Sequence, residues 1–188
     1  IDYYVIACNT LSVTAKDFLV DKYKKKFIPI TQMGLRASET YGGSFLVLGT
    51  KTTINSHFYK NNLEKIPGNI VYEKAATKLV DFIESGNMAS SELETYIDSY
   101  ISLANEKEIA NIILACTHYP IIKSKIENRL TYKANIIDPA TFAADYLRSD
   151  EDNLDINIFM TKKTLATETL IPQLIDGSYK LTYLEEFL

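Results

Sequence analysis

Asn111-Ile112-Ile113-Leu114-Ala115-Cys116-Thr117-His118-Tyr119-Pro120 is the stretch on which the reading of the fold turns. The apolar run from Ile112 to Ala115 reads as a short buried strand. It stops at a cysteine, and the polar residues after it lead into a helical pattern carried by Ile121, Ile122 and Ile126. Cys116 therefore stands where a strand gives way to a helix. The free N–H groups and dipole of a helix start favour a thiolate. The chain opens with a near-copy of this arrangement. Tyr3-Tyr4-Val5-Ile6-Ala7-Cys8-Asn9-Thr10 is again an apolar strand ending in Ala-Cys, followed by a helix. The sequence has 2 cysteines, and both occupy this kind of position.

Outward from these two points, strands and helices alternate. Leu11 to Phe27 has helical spacing, with lysines toward its end. Phe27-Ile28-Pro29-Ile30 is extended, and Thr31 is placed to cap a helix through Glu39. Gly42-Gly43 is a break and a candidate domain boundary. Ser44 to Gly49 reads as a buried strand, Thr52 to Leu63 as a helix and Asn69 to Tyr72 as a strand. A helix over Thr77 to Ser85 ends at Gly86. Ser90 or Ser91 caps a long helix with Leu93, Ile97, Tyr100, Ile101 and Ala104 on one face. Asn135 to Asp138 is a strand, Ala140 to Leu147 a helix and Ser149 to Asp155 an acidic loop. Asp155 to Thr161 alternates as a strand. The tail holds a helix and a last strand, Tyr179 to Tyr183. This alternation argues an α/β protein with mostly parallel sheets, and the two Cys-ended units suggest two related lobes.

Composition narrows the function classes. At 188 residues the chain can bury a real core. A net charge of −4 gives no basic footprint for nucleic acid. The run Lys22 to Lys26, interrupted by Tyr23, reads as a solvated helix face. No apolar stretch approaches the ~20 residues of a membrane span, and no signal peptide is visible. Two unclustered cysteines fit a reducing compartment.

The motifs Ala7-Cys8-Asn9-Thr10 and Ala115-Cys116-Thr117-His118-Tyr119-Pro120 resemble the two signatures of the bacterial glutamate racemases, a branch of the cofactor-independent amino-acid racemases. Leu48-Gly49-Thr50-Lys51-Thr52-Thr53-Ile54-Asn55-Ser56 and the later Tyr59 are similar to a further family segment. Leu79 to Glu84 is similar to the one that supplies a glutamate near the second cysteine. Ala76-Thr77 and Asp81 there replace the family's Cys-Pro and second Pro. The resemblance implies two pseudo-symmetric α/β lobes with the site between them. The first would comprise residues 1–42 plus 139–188, and the second residues 43–138.

Inverting an α-carbon requires removing a proton from one face and returning one to the other. Two thiols facing each other across the substrate do this directly, one as thiolate base and one as acid. The resemblance assigns these roles to Cys8 and Cys116. It implies that Asn9, Thr10, Thr117 and His118 bind the substrate's charged groups, with Thr53 and Thr50 adding contacts. His118 would assist the second thiol, and Glu84 would orient His118. Taken alone, each reads more plainly: a strand-end cysteine as a small buried hydrophobe, His118 as a structural hydrogen-bonder, Glu84 as a solvated last-turn residue. His57 matches no motif and reads as surface. No metal or organic cofactor is implied. The expected partner is glutamate, a homodimer is left open, and the expected location is the cytoplasm.

One departure concerns the chain's start. Family members carry roughly two βα units before the first motif, on the order of 60 residues at ~30 per unit. Those units supply an Asp-Ser pair beside the first cysteine and a substrate-binding Tyr-Gly. Here only Ile1 to Ala7 precede Cys8, and Tyr41-Gly42 falls after it. The expectation is an N-terminally truncated first lobe and poor or no racemisation of glutamate by residues 1–188 alone. The alternatives are a racemase of another amino acid such as aspartate, or a non-catalytic remnant that binds a protein partner through an exposed sheet edge.

Overall fold

The computed structural model describes residues 3–147, 156–175 and 177–184. The acidic loop expected over 149–155 lies outside the described residues. Two strands open the chain, β1 (Tyr4–Ile6) and β2 (Phe27–Pro29), paired in parallel. Between them run α1 (Asn9–Thr14) and α2 (Lys16–Tyr23). The single helix expected over 11–27 is thus two, because the backbone kinks at Ala15 (φ −123°, ψ −8°). Helix α3 (Ile30–Ser38) follows directly on β2.

The central sheet has four parallel strands in the order β4-β3-β5-β6. They are β3 (Ser44–Gly49), β4 (Ile70–Ala75), β5 (Asn111–Ala115) and β6 (Asn135–Ile137). The apolar runs of β3 and β5 follow from burial on both faces. Leu46, Leu48, Ile112 and Leu114 face one core, with Leu93, Ile97 and Ile101 from α7 (Ser91–Lys107). Phe45, Val47, Ile113 and Ala115 face the other, with Tyr59 and Leu63 from α5 (Phe58–Leu63). Each such fully buried aliphatic side chain stabilises the fold by about 1.5–3 kcal/mol. Asn111 secures the entry to β5. It is fully buried, and its Nδ2 donates to Gly42 O and Ser44 O, both at 3.1 Å. Its Oδ1 accepts from Asn135 Nδ2 at 2.9 Å.

Strand β4 runs three residues beyond Tyr72, through the polar Glu73 and Lys74. It is a sheet edge, where polar side chains reach solvent or a partner. Glu73 Oε2 meets His57 Nδ1 at 2.6 Å. The helix expected over 52–63 is split into α4 (Lys51–Asn55) and α5. Ser56 Oγ donates to Thr53 O at 2.6 Å and accepts from Phe58 N, competing with the helix ladder. His57 takes a left-handed backbone (φ 51°) at the break and is surface-exposed.

Helix α6 (Lys78–Glu84) ends before Gly86 (φ +71°), and Ser90 caps α7 by accepting from Glu92 N at 3.1 Å. After β5 the chain makes a 3-10 turn, Tyr119–Ile122, and then α8 (Lys123–Asn128). Pro120 stands at the head of this turn, and it has no N–H to offer a longer ladder. Helix α9 (Pro139–Tyr146), capped by Asp138, returns to α3. Ala143 joins Ile28, Ile30 and Met33 in a small core there. Strands β7 (Ile156–Met160) and β8 (Tyr179–Tyr183) form a third parallel sheet, joined by α10 (Leu165–Leu174). Leu170 of α10 packs on the core that contains Leu46 and Leu114.

Candidate active site

The carboxyl ends of β1 and β5 meet, and with them the two cysteines. A cavity of about 130 Å³ is walled by Cys8, Asn9, Thr10, Thr50, Val80, Ala115, Cys116, Thr117 and His118. At the ~30 Å³ that a water takes in the liquid, this is the scale of a small molecule. Seven of the side chains expected at the site line it: Cys8, Asn9, Thr10, Thr50, Cys116, Thr117 and His118. Thr53 and Glu84 stand behind the wall.

Cys8 is the N-cap of α1, with extended backbone (φ −142°, ψ 121°), and its Sγ accepts the Leu11 N–H at 3.4 Å. Ser12 Oγ ties the first turn of α1 back to Ile6 O at 3.2 Å, which holds the cap against its strand. Both cysteines are free thiols, Cys8 exposed and Cys116 buried. The difference in solvation has a chemical consequence. Burial pushes the Cys116 thiol up from its ordinary value. The His118 backbone N–H acts against that, while the nearby negative charges of Cys8 and Glu84 act with it. The expectation that a helix start would favour a thiolate at Cys116 is therefore overturned. Desolvation outweighs the N–H contact, and the turn that follows is a short 3-10 segment rather than a full helix.

His118 lies between Cys116 and Glu84. Its Nδ1 is 3.8 Å from Cys116 Sγ, and its Nε2 is 3.1 Å from Glu84 Oε1. An Nε2–H donated to the carboxylate leaves Nδ1 bare toward the thiol, ready to accept a proton. Thr10 reaches across to the other wall. Its Oγ1 is 2.7 Å from Thr50 Oγ1 and 3.4 Å from Thr53 Oγ1, and the latter two are 3.1 Å apart. Three hydroxyls thus brace the Cys8 loop against the loop after β3. Thr53 is fully buried in this brace, behind Thr50.

Asn9 is 2% exposed and its Oδ1 accepts from Tyr59 Oη at 2.8 Å. Its Nδ2 is the buried side-chain polar atom left without a partner among the described residues. Tyr59 closes the segment that begins at Leu48, and nothing local to its position signals a bond to a residue fifty positions earlier. Val80 likewise carries no sequence signal for its place in the wall. Among the described residues, no three His, Cys, Asp or Glu side chains are grouped to hold a metal ion. None of the described helices is long and apolar enough to cross a membrane.

Parallel α/β units that meet at a cavity with one thiol from each of two strands define the class: a parallel α/β protein with a paired-cysteine site. The chain belongs to the Asp/Glu/Hydantoin racemase family, whose model matches residues 1–147. It is 32% identical over 193 positions to a glutamate racemase of Persephonella marina, covering 98% of this chain and 73% of that one. It is also 32% identical over 158 positions to a glutamate racemase of Clostridium perfringens, covering 80% of this chain and 60% of that one. Among solved structures, a glutamate racemase of Francisella tularensis in complex with D-glutamate superposes with a TM-score of 0.82 at 27% identity. That match covers 99% of this chain and 75% of that chain. A glutamate racemase isoform of Bacillus anthracis shares the fold, with a TM-score of 0.83 at 22% identity, over 97% of this chain and 73% of that one. The chain thus spans roughly three-fifths to three-quarters of the length of these relatives.

Proposed function

We propose that this chain carries the two-thiol site of a glutamate racemase, an isomerase that interconverts L- and D-glutamate. The observation that carries the reading is that Cys8 and Cys116, from separate sheets, wall one small cavity. In one direction the Cys8 thiolate takes the proton from Cα, and the Cys116 thiol returns a proton to the opposite face. In the other direction the roles exchange. At neutral pH the buried Cys116 holds its proton, which suits it to act as the acid. When it acts as base, His118 Nδ1 is the nearest group to take that proton, with Glu84 balancing the charge on the ring. Asn9, Thr10 and Thr117 offer donors for the substrate's carboxylates, His118 adds a positive charge to hold them once its ring is protonated, and Thr53 holds Thr10 and Thr50 in place. No step calls for an organic cofactor or metal.

The lobes we assign are residues 1–42 plus 139–188, and residues 43–138. Packing of α9 on α3 and the contiguity of the four-stranded sheet within 44–137 support that division. In a bacterial cell the product D-glutamate would enter peptidoglycan synthesis in the cytoplasm. The test follows optical rotation or circular dichroism as L-glutamate is converted, with aspartate as the competing substrate. Cys8→Ser and Cys116→Ser are each expected to abolish conversion in both directions. Wild-type rates in either variant, or a preference for aspartate, would reject the reading.

A further inference from the structure

We propose that Tyr59 is a positioning residue for substrate: it holds the Asn9 side chain in the one amide orientation that presents N–H rather than C=O to a carboxylate in the cavity. This rests on reading that cavity as the substrate site.

An asparagine amide can turn over and exchange its oxygen with its nitrogen, and only its neighbours decide which way it points. Tyr59 is 1% exposed and Asn9 is 2% exposed, so water does not decide here. Burial pushes the Tyr59 phenol far above the usual tyrosine range, so it always carries its proton. A buried O–H must be donated, and Asn9 Oδ1, at 2.8 Å, is the acceptor in reach. With Oδ1 engaged, Nδ2 is left with two N–H donors and no partner among the described residues. An unfilled buried donor on the wall of a cavity calls for an acceptor from a ligand, and a carboxylate oxygen is the strongest such acceptor.

The position of the phenol is itself prepared. Gly34 of α3 lies against it: a Cβ there would come within 2.5 Å of Tyr59 Oη and 2.9 Å of Pro139 Cγ. The glycine leaves the space through which the hydroxyl reaches Asn9. Tyr59 comes from α5, packed on the central sheet, whereas Asn9 begins α1, next to Cys8. The bond therefore also joins the first-cysteine loop to the body that carries the second cysteine.

The test is a double-mutant cycle between Asn9→Ala and Tyr59→Phe, read as KM and kcat for glutamate in both directions. Removing the Asn9 amide deletes a hydrogen bond to a charged group and is expected to raise KM by about 10- to 150-fold. Tyr59→Phe keeps the ring and its packing and removes only the orienting bond. It is expected to raise KM by about 2- to 10-fold with kcat little changed. In the Asn9→Ala background the same change should have no further effect on KM. A Tyr59→Phe variant that loses thermal stability with KM unchanged would show a purely structural role and overturn the proposal, as would KM effects that simply multiply. Should the wild-type chain not racemise glutamate measurably, the orientation is judged separately, by NMR. The side-chain NH₂ pair of Asn9, identified by its loss in Asn9→Ala, should shift and lose exchange protection in Tyr59→Phe. An unchanged pair would overturn the positioning role.

Discussion

Glu84 and His118 can be separated by the size of what each contributes. Glu84→Gln retains a hydrogen-bond acceptor at 3.1 Å from His118 Nε2 but removes the negative charge. The carboxylate side chain is 57% exposed and the imidazole 34%, so their attraction is screened by solvent. Pairs of this kind contribute about 0.2–1 kcal/mol. If that stabilises the imidazolium in the transition state, its loss slows turnover about 1.5- to 5-fold, since 1.36 kcal/mol is a factor of ten. His118→Asn is different in kind. It removes the ring whose Nδ1 lies 3.8 Å from Cys116 Sγ. Losing a positioned proton-transfer group costs about 10²–10⁴-fold. Both variants are assayed by circular dichroism from L- and from D-glutamate. The enantiomers have equal free energies, so kcat/KM must fall equally in the two directions for each variant. A loss of a hundredfold or more in Glu84→Gln would refute the screened-pair argument. A His118→Asn enzyme within fivefold of wild type would refute the proton-transfer role.

The thiols should also differ in reactivity: iodoacetamide is expected to label exposed Cys8 first, with Cys116 modified appreciably only above the ordinary thiol value of about pH 8.5. The sign for stability follows. The folded Cys116 thiol holds its proton more tightly than the unfolded one, so its contribution is complete below about pH 8.5 and is lost as pH rises toward the folded value. Urea titrations across that window should show a steeper decline for wild type than for Cys116→Ser, and parallel curves would contradict the burial argument. Tyr119→Phe leaves the Ala76 carbonyl without the buried phenol that donates to it at 2.8 Å. The expected loss is about 1–3 kcal/mol of unfolding free energy, read from the urea midpoint.

The strands β3 and β5 were legible because burial on both faces demands unbroken apolar runs, Phe45 to Leu48 and Ile112 to Ala115. The cap at Ser90 and the stop at Gly86 were legible because they act within a few residues of themselves, whereas Thr31, expected to cap α3, is buried inside a helix that starts one residue earlier with Pro29 at its N-cap. Where local rules misjudged extent, a side chain was competing with the backbone or an edge relaxed the pattern, as at Ser56 and along Glu73-Lys74. The two Ala-Cys motifs likewise marked, from composition and order alone, the residues that came to wall one cavity.

What the sequence determined by itself is therefore the local grammar: apolar strands that end in cysteine, capped helices, and the polar residues that follow each thiol. Only the tertiary structure decided that those two strand ends meet, that Thr10 bonds Thr50 and that Tyr59 claims the oxygen of Asn9. It alone decided that Cys116 is desolvated and Cys8 is not, which reversed the protonation expected at Cys116. The reason is physical. Propensity and capping depend on neighbours in the chain, whereas desolvation and hydrogen-bond orientation depend on whichever distant segments the packed core brings alongside.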